Sequence, residues 1–264
     1  MISRVLLAGF IILSLSDFAW AVTRYVDNQL PSGNCTTGNY NRIARDCTGA
    51  DGDAYTTPSG VIGVTAAGDQ ICVRSGTIWT QQWDFQAPNK SGTSTNYIRM
   101  GGCDGEIPTL RYADSSTLGY GPIKARGNRG YFIFENMILD GSASTDSSKS
   151  GFAIRDGNHH FILRNLEIKN FKNVSGVYIM ANDITVQDCT IHDQYSPSGA
   201  VGTRHYAIYY FGGNRNVIER NDFYNNDGGG LNIAPGPIDG ATLRYNRIHD
   251  NNRSFVAVEP GRRA

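Results

Sequence analysis

Short apolar runs alternate with polar turns throughout the second half of the chain. Each of five segments is a β-forming run that ends in Asn or Asp: Phe132–Asn136, Phe161–Asn165, Ile184–Asp188, Val217–Asn221 and Thr242–Asn246. Another apolar residue follows each segment, in the order Ile138, Ile168, Ile191, Phe223 and Ile248. Because the runs are short and are flanked by Gly, Asn or Asp, they predict strands and exclude helices.

A second series of short apolar runs interleaves with the first. Aligning its members Ile154, Ile179, Ile208, Ile233 and Val258 gives steps of 25, 29, 25 and 25 residues. Two series with one common period indicate a solenoid in which each repeat forms one coil. Each strand then pairs with its copy in the next coil, about 4.8 Å away, and equivalent side chains stack in columns. We therefore predict an all-β fold, a single-stranded right-handed parallel β-helix.

The Asn and Asp residues that end the first series are expected to form one such column. Asn tolerates the backbone dihedrals of a tight bend, and its amide can bond to the Asn above and below. We interpret this column as a structural ladder, with these members: Asn136, Asn165, Asp188, Asn221 and Asn246.

The first half of the chain is predicted to continue the coils less regularly. Its strand candidates are the runs 71–73, 83–85, 97–100, 109–112 and 123–125. Residues 22–70 are predicted to form an N-terminal cap, with a short helix within 58–67, because an open solenoid end exposes apolar side chains and strand edges. Residues 71–264 form the coils. The chain stops soon after a strand, without a visible cap. Either a partner covers the last coil or the sequence is a piece of a longer protein, and we favour the second alternative.

The first 21 residues have the features of a secretory signal peptide. Arg4 precedes an apolar run, and Ala19 and Ala21 mark a cleavage site. The alternative is an uncleaved anchor, but the apolar run is too short to span a bilayer, and no later stretch is long enough. The expected location is extracytoplasmic, either periplasmic or secreted.

Composition narrows the classes of partner. The chain has 24 basic and 24 acidic residues, so no overall field attracts nucleic acid or an anionic membrane. In an oxidising compartment, Cys35 and Cys47 are expected to close a small loop, and Cys72 and Cys103 are candidates for a second disulfide. Cys189 lies in an apolar strand pattern and is expected to be a buried free thiol.

Several motifs resemble those of the pectate-lyase-like superfamily of secreted β-helix proteins. Residues 67–77 (AGDQICVRSGT) are similar to the entry into its first coil, and residues 131–141 are similar to one of its later strand segments. The resemblance covers roughly residues 24–260. It implies a right-handed β-helix and, among the activities of the superfamily, polysaccharide lyases, glycoside hydrolases, uronan epimerases, tailspikes and adhesins.

The active-site signatures of several members are absent. The chain has neither the epimerase Asp-Pro-His-Glu run nor the paired-Asp and Gly-His-Gly pattern of polygalacturonases. Alginate and chondroitin lyases of this fold carry an Arg-His pair before a GNxN turn. Here the turn is present at 213–216, but Tyr210 and Phe211 occupy the place of the pair.

The turns that lead from the first series into the second are expected to stack into one ledge on which chemistry can occur. They span 141–150, 169–175, 192–205, 225–229 and 249–254. Within the ledge, the candidate catalytic bases are Arg204, His205, Lys149 and His192. The candidate residues for binding a sugar or its carboxylate are Lys172, Arg253, Tyr195 and Tyr206. Asp193 and Asp227 are the candidate ligands of a Ca²⁺ ion.

These residues suggest a protein that acts on an acidic polysaccharide by lyase-type β-elimination. The alternative is a non-catalytic glycan-binding or adhesin-like module, which the missing Arg-His pair favours. A fragment without a function of its own is a third possibility. The opposite turns form a second ledge, in which His159 and His160 are candidate metal ligands.

Overall fold

The structure is a computed structural model, and it describes residues 21–85, 89–111, 120–143, 150–172, 175–195, 205–234, 236, 238–252 and 256–258. The predicted signal peptide, apart from Ala21, lies outside the described residues. Short strands dominate. They are β1 (Thr23–Val26), β2 (Asp53–Tyr55), β3 (Gln70–Val73), β4 (Trp83–Asp84), β5 (Ile98–Gly102), β6 (Thr109–Leu110), β7 (Tyr120–Ala125), β8 (Gly130–Asp140), β9 (Ser150–Ile154), β10 (His159–Lys169), β11 (Val177–Met180), β12 (Thr185–Gln187), β13 (Thr190–His192), β14 (Tyr206–Gly212), β15 (Val217–Glu219), β16 (Asp222–Tyr224), β17 (Gly229–Ile233), β18 (Thr242–Arg244), β19 (Arg247–His249) and β20 (Val256–Val258).

The strands stack into two parallel sheets. The larger sheet runs in the order β18-β15-β12-β10-β8-β5-β3-β1-β2, and β13, β16 and β19 continue it past a bend. The smaller sheet runs in the order β20-β17-β14-β11-β9-β7-β4. The chain passes from one sheet to the other and back in every coil, so each strand pairs with its copy one coil away, as in β9, β11 and β14. This arrangement confirms the predicted parallel β-helix.

The N-terminal region closes one end of the stack. Helix α1 (Pro58–Val64) is capped by Thr57, whose side chain accepts a hydrogen bond from the Gly60 amide. Val61 and Ile62 are buried in the main core. Strand β1 already pairs with β3, so the first strand of the predicted cap belongs to the coils.

The cysteines behave as the sequence predicts. Disulfides join Cys35 to Cys47 and Cys72 to Cys103. Cys189 is a buried free thiol, and burial raises its pKa to about 12. This thiol is therefore protonated at neutral pH and packs as a small apolar side chain.

The columns of core side chains form as predicted, but their register differs at two places. Tyr210, and not Ile208, lies between Ile179 and Ile233, so the steps are 25, 31, 23 and 25 residues. Ile208 and Tyr210 both face the core, and alternation of apolar residues cannot distinguish a shift by two positions. Likewise Leu139, and not Ile138, stacks on Ile168.

The predicted Asn ladder is divided between two columns. The bend of the larger sheet uses left-handed residues, with φ between 50° and 58°, at Asn136, Asn165, Asp188, Arg220 and Tyr245. Asn221 and Asn246 lie one position later, so placing them in the bend column was wrong. The strand pairing shows why, because it aligns Gln187 with Glu219 and Glu219 with Arg244.

Asn221, which lies one position after the bend column, stabilises a corner of the coil. Asn221 is buried, accepts a hydrogen bond from the Cys189 amide and donates one to the Val186 carbonyl, both at 2.9 Å. It also donates to the Asn246 side chain at 2.9 Å. Asn226 repeats this pattern with the Gln194 amide and the Ile191 carbonyl. These amides satisfy buried backbone groups at the corners, where the sheet ladder is interrupted.

A buried carboxylate organises the N-terminal region. Asp27 is fully buried, accepts hydrogen bonds from the Tyr40 hydroxyl (2.8 Å) and the Gln29 amide (2.9 Å), and pairs with two nitrogens of Arg45. Arg45 in turn donates to the Ser75 carbonyl at 2.9 Å. The network therefore links the loop of the cap to the first coil.

Candidate functional site

The outer face of the smaller sheet carries one continuous column of side chains. In register along the stack, the column contains Lys124, Ala153, Tyr178, Tyr209 and Asn232. Their neighbours in sequence face the core, because successive side chains of a strand point to opposite sides. Column members are separated by about 4.8 Å, the spacing of neighbouring strands.

Four rings on this face form an aromatic platform, which consists of Tyr178, Tyr206, Tyr209 and Phe211. The ring of Tyr178 stacks on Tyr209 with centroids 5.7 Å apart, and on Phe211 at 6.2 Å. Tyr209 also contacts Tyr206 at 6.2 Å and Phe211 at 6.0 Å. Tyr178 and Phe211 are half-buried, whereas Tyr206 and Tyr209 are buried. The buried pair therefore supports two rings that remain accessible to a ligand.

Polar groups lie at both ends of the column. On one side, the Lys124 ammonium bonds to the Asp84 carboxylate at 2.7 Å. On the other side, Asn232 follows Tyr209 and is 4% exposed. None of the described residues donates a hydrogen bond to the Asn232 Oδ1 atom. A buried acceptor without a donor is costly, and the burial of this atom keeps it away from the surface that a ligand could contact.

The structure places the predicted ledge residues in several environments. Arg204, Lys149 and Arg253 lie outside the described residues. Tyr206 belongs to the aromatic platform. His205 is 2% exposed, and its carbonyl accepts a hydrogen bond from the Gly228 amide at 2.8 Å.

Lys172 and Tyr195 confirm that the turns of successive coils stack. They form a parallel bridge, with the Lys172 Nζ atom 5.8 Å from the centre of the Tyr195 ring. Both side chains are half-buried. This contact lies in the turns that precede β11 and β14, the two strands that carry the accessible part of the platform.

His192 lies on the larger sheet and not beside the aromatic platform. Its Nδ1 atom is 2.6 Å from the Asp193 carboxylate, and its Nε2 atom is 3.2 Å from Glu167. Burial opposes ionisation of Glu167, but hydrogen bonds from Lys169 and His192 outweigh it and lower the pKa of this carboxyl. The His192 ring also stacks on Tyr224 at 4.7 Å. Both ring nitrogens of His192 are therefore engaged within its own column.

The described residues do not assemble a calcium site around Asp193 and Asp227. Asp193 pairs with His192, and Asp227 accepts a hydrogen bond from Asn252 at 2.8 Å. Within the described ranges, no three His, Cys, Asp or Glu side chains converge on one point. Because Ca²⁺ takes six to eight oxygen ligands, these two carboxylates alone do not fit it.

The sequence contains a signal for the platform in the alternation of residues along two strands. Tyr178 and Tyr209 each stand between two core residues of a strand, which predicts an outward ring. Tyr210 belongs to the core, and its hydroxyl donates to the Gly213 carbonyl at 2.6 Å. The pair Tyr210–Phe211 therefore serves the core and the platform, in the place where some lyases carry their Arg-His pair.

Comparisons with solved structures give two distant matches. An alginate lyase from Paenibacillus sp. str. FPU-7 is 16% identical with a TM-score of 0.47, over 71% of this chain and 72% of that chain. The pectate lyase Pel9A is 12% identical with a TM-score of 0.41, over 89% of this chain and 55% of that chain. No curated protein matches the sequence significantly.

Two further findings bear on the class of protein. Among the described residues, no helix has the length and apolar character needed to cross a bilayer. Residues 123–264, more than half of the chain, match the family model described as a right handed beta helix region. The chain therefore belongs to the right-handed β-helix family.

Proposed function

We propose that this protein is an extracytoplasmic, carbohydrate-active β-helix protein that binds an acidic polysaccharide along the outer face of the smaller sheet and cleaves it by β-elimination. The aromatic platform is the observation that supports this proposal most. The half-buried rings of Tyr178 and Phe211 supply apolar surface against which the C–H groups of a sugar ring can pack. The Lys124–Asp84 pair supplies polar groups at one end of the column.

The proposed reaction assigns separate tasks to the residues around the platform. A base removes the C5 proton of a uronic acid, the C4–O bond to the neighbouring sugar breaks, and a C4–C5 double bond forms, while the leaving oxygen takes up a proton. Cationic side chains neutralise the uronate carboxylate, and Lys172 is a candidate among the described residues. Arg204, Lys149 and His205 remain the candidate bases, since the contacts of His192 are with Glu167, Asp193 and Tyr224.

An activity assay tests the reaction. The protein is incubated with a panel of acidic polysaccharides that includes pectate and alginate, with Ca²⁺ or with a chelator. We expect ultraviolet absorbance of unsaturated uronides to rise with at least one substrate, and the two conditions show whether Ca²⁺ is required. Absence of products across the panel, measured with folded protein, contradicts the proposed elimination.

A non-catalytic glycan-binding module is the second candidate. The placement of Tyr210 in the core and Phe211 in the platform favours it, because neither position carries a cationic side chain. In this case, the same polysaccharides bind saturably without product formation. The presence or absence of products therefore distinguishes the two functions, and absence of binding as well as of products contradicts both.

A further inference from the structure

His159 and His160 open strand β10, on a corner of the coil whose residues are not part of the aromatic platform. Consecutive side chains of a strand normally point to opposite faces. Here the backbone of His160 has a φ of 54°, and the Nδ1 atoms of the two imidazoles lie 2.8 Å apart. The two neighbouring imidazoles therefore face each other through their Nδ1 atoms.

The surroundings hold both rings in place. The Tyr131 ring stacks on His160, with centroids 4.6 Å apart, and packs edge-on against His159 at 5.2 Å. Tyr97 packs against the other side of Tyr131 at 5.5 Å. A Cβ atom at Gly130 would lie 2.2 Å from the Cε1 atom of His159, so this glycine leaves the space that the imidazole fills.

The distance between the nitrogens suits a metal ion. Two ligands about 2.0 Å from one ion lie about 2.8 Å apart when they subtend a right angle, and about 3.3 Å apart at a tetrahedral angle. A right angle is typical of Cu²⁺ and Ni²⁺ in planar or tetragonal sites, and Cu²⁺ binds imidazole most strongly among the divalent ions of its row. The hydrogen bond between the rings uses the lone pair of one Nδ1 atom, which shows that at least one nitrogen can act as a donor of electrons.

The Asp183 carboxylate lies near the second ring nitrogen of His160. The Asp183 Oδ2 atom is 3.9 Å from the Nε2 atom of His160. Arg215 fixes this carboxylate through two hydrogen bonds of 2.7 Å. Histidines that bind metals commonly direct the second ring nitrogen at a carboxylate, which fixes the orientation of the ring.

We propose that His159 and His160 bind a transition-metal ion, Cu²⁺ in preference to Zn²⁺, through their Nδ1 atoms. The proposed site has an entry path, because the His160 side chain is 38% exposed. Since no three His, Cys, Asp or Glu side chains converge within the described residues, water completes the coordination. Asp183 positions the His160 ring and does not bind the ion itself.

This site is tested by titrating the full chain with Cu²⁺. Calorimetry measures the affinity and stoichiometry, and electron paramagnetic resonance identifies the ligand atoms. We expect one stoichiometric ion with nitrogen hyperfine coupling, bound more tightly than Zn²⁺. His159→Gln and His160→Asn should each weaken binding at least tenfold, and Asn suits the positive φ of position 160. Asp183→Asn should weaken it about tenfold while the nitrogen coupling remains.

His249→Ala is the matched control, because this histidine is also partly exposed and lies beside the carboxylates of Asp222 and Asp250. It should leave the affinity for Cu²⁺ unchanged. The proposal is overturned if the wild-type protein binds no stoichiometric Cu²⁺, if both variants of the pair bind like the wild type, or if His249→Ala causes the same loss. Circular dichroism of each variant establishes that the coils remain folded.

Discussion

Tyr178→Ala should weaken binding of the protein's polysaccharide ligand about 30-fold, which corresponds to about 2 kcal/mol. Tyr178 is accessible, and its ring contacts both Tyr209 and Phe211. Truncation removes the apolar surface against which a sugar packs and also leaves a gap beside the supporting ring. Calorimetric titration with an acidic oligosaccharide measures the change.

Two further variants make this result specific. Tyr178→Phe keeps the ring and should bind almost as well as the wild type. Tyr245→Asn removes a tyrosine that is 79% exposed on the larger sheet, at a position with positive φ that Asn tolerates, and should leave the affinity unchanged. Equal losses for Tyr178→Ala and Tyr245→Asn would show that the platform has no special part in binding.

Asp27→Asn should destabilise the protein by about 3 kcal/mol at neutral pH. The substitution removes the buried negative charge that the half-buried guanidinium of Arg45 and the Tyr40 hydroxyl contact, and it places a neutral amide there. Chemical denaturation with the disulfides intact measures the loss. Asp104→Asn is the matched control, because its pair with Arg42 is exposed and should change the free energy of unfolding far less than Asp27→Asn does.

The effect of Asp27→Asn should depend on pH. Burial opposes ionisation of Asp27, but its hydrogen bonds from Arg45, Gln29 and Tyr40 outweigh burial and lower the pKa of its carboxyl. A lowered carboxyl pKa stabilises the folded state above the pKa of the unfolded chain, and this stabilisation is lost as the pH falls through the folded pKa. The difference between wild type and variant should therefore shrink in acid. A difference that grows in acid would be incompatible with this network.

The period of the apolar pattern was sufficient to predict the β-helix, but not its register. Period and alternation establish which residues face the core, as for Ile154 and Ile179. They do not distinguish Ile208 from Tyr210, because both face inward and only the length of the preceding turn decides between them. Register is equally hard to predict at the bend of the larger sheet. Arg220 and Tyr245 adopt a left-handed conformation there, which a sequence pattern would assign to Asn or Asp.

The candidate site was harder to predict than the fold, because charged residues and histidines are concentrated in the turns and favour a site there. His192 and Asp193 satisfy each other and belong to a stacked column that includes Tyr224. The outward rings of Tyr178 and Tyr209 stand inside apolar strands, where an aromatic residue is easily taken as core. Stacking of coils brings these rings together across 31 residues of sequence, a juxtaposition that follows only from the exact strand pairing.

Hydroxyl-radical footprinting with mass spectrometry tests most directly whether the smaller sheet carries the glycan-binding face. With saturating oligosaccharide, we predict reduced labelling of Tyr178 and Phe211 and unchanged labelling of Tyr245. Protection of Tyr224 and His249 instead, with Tyr178 labelled equally in the free and bound protein, would place the ligand on the larger sheet and contradict this account.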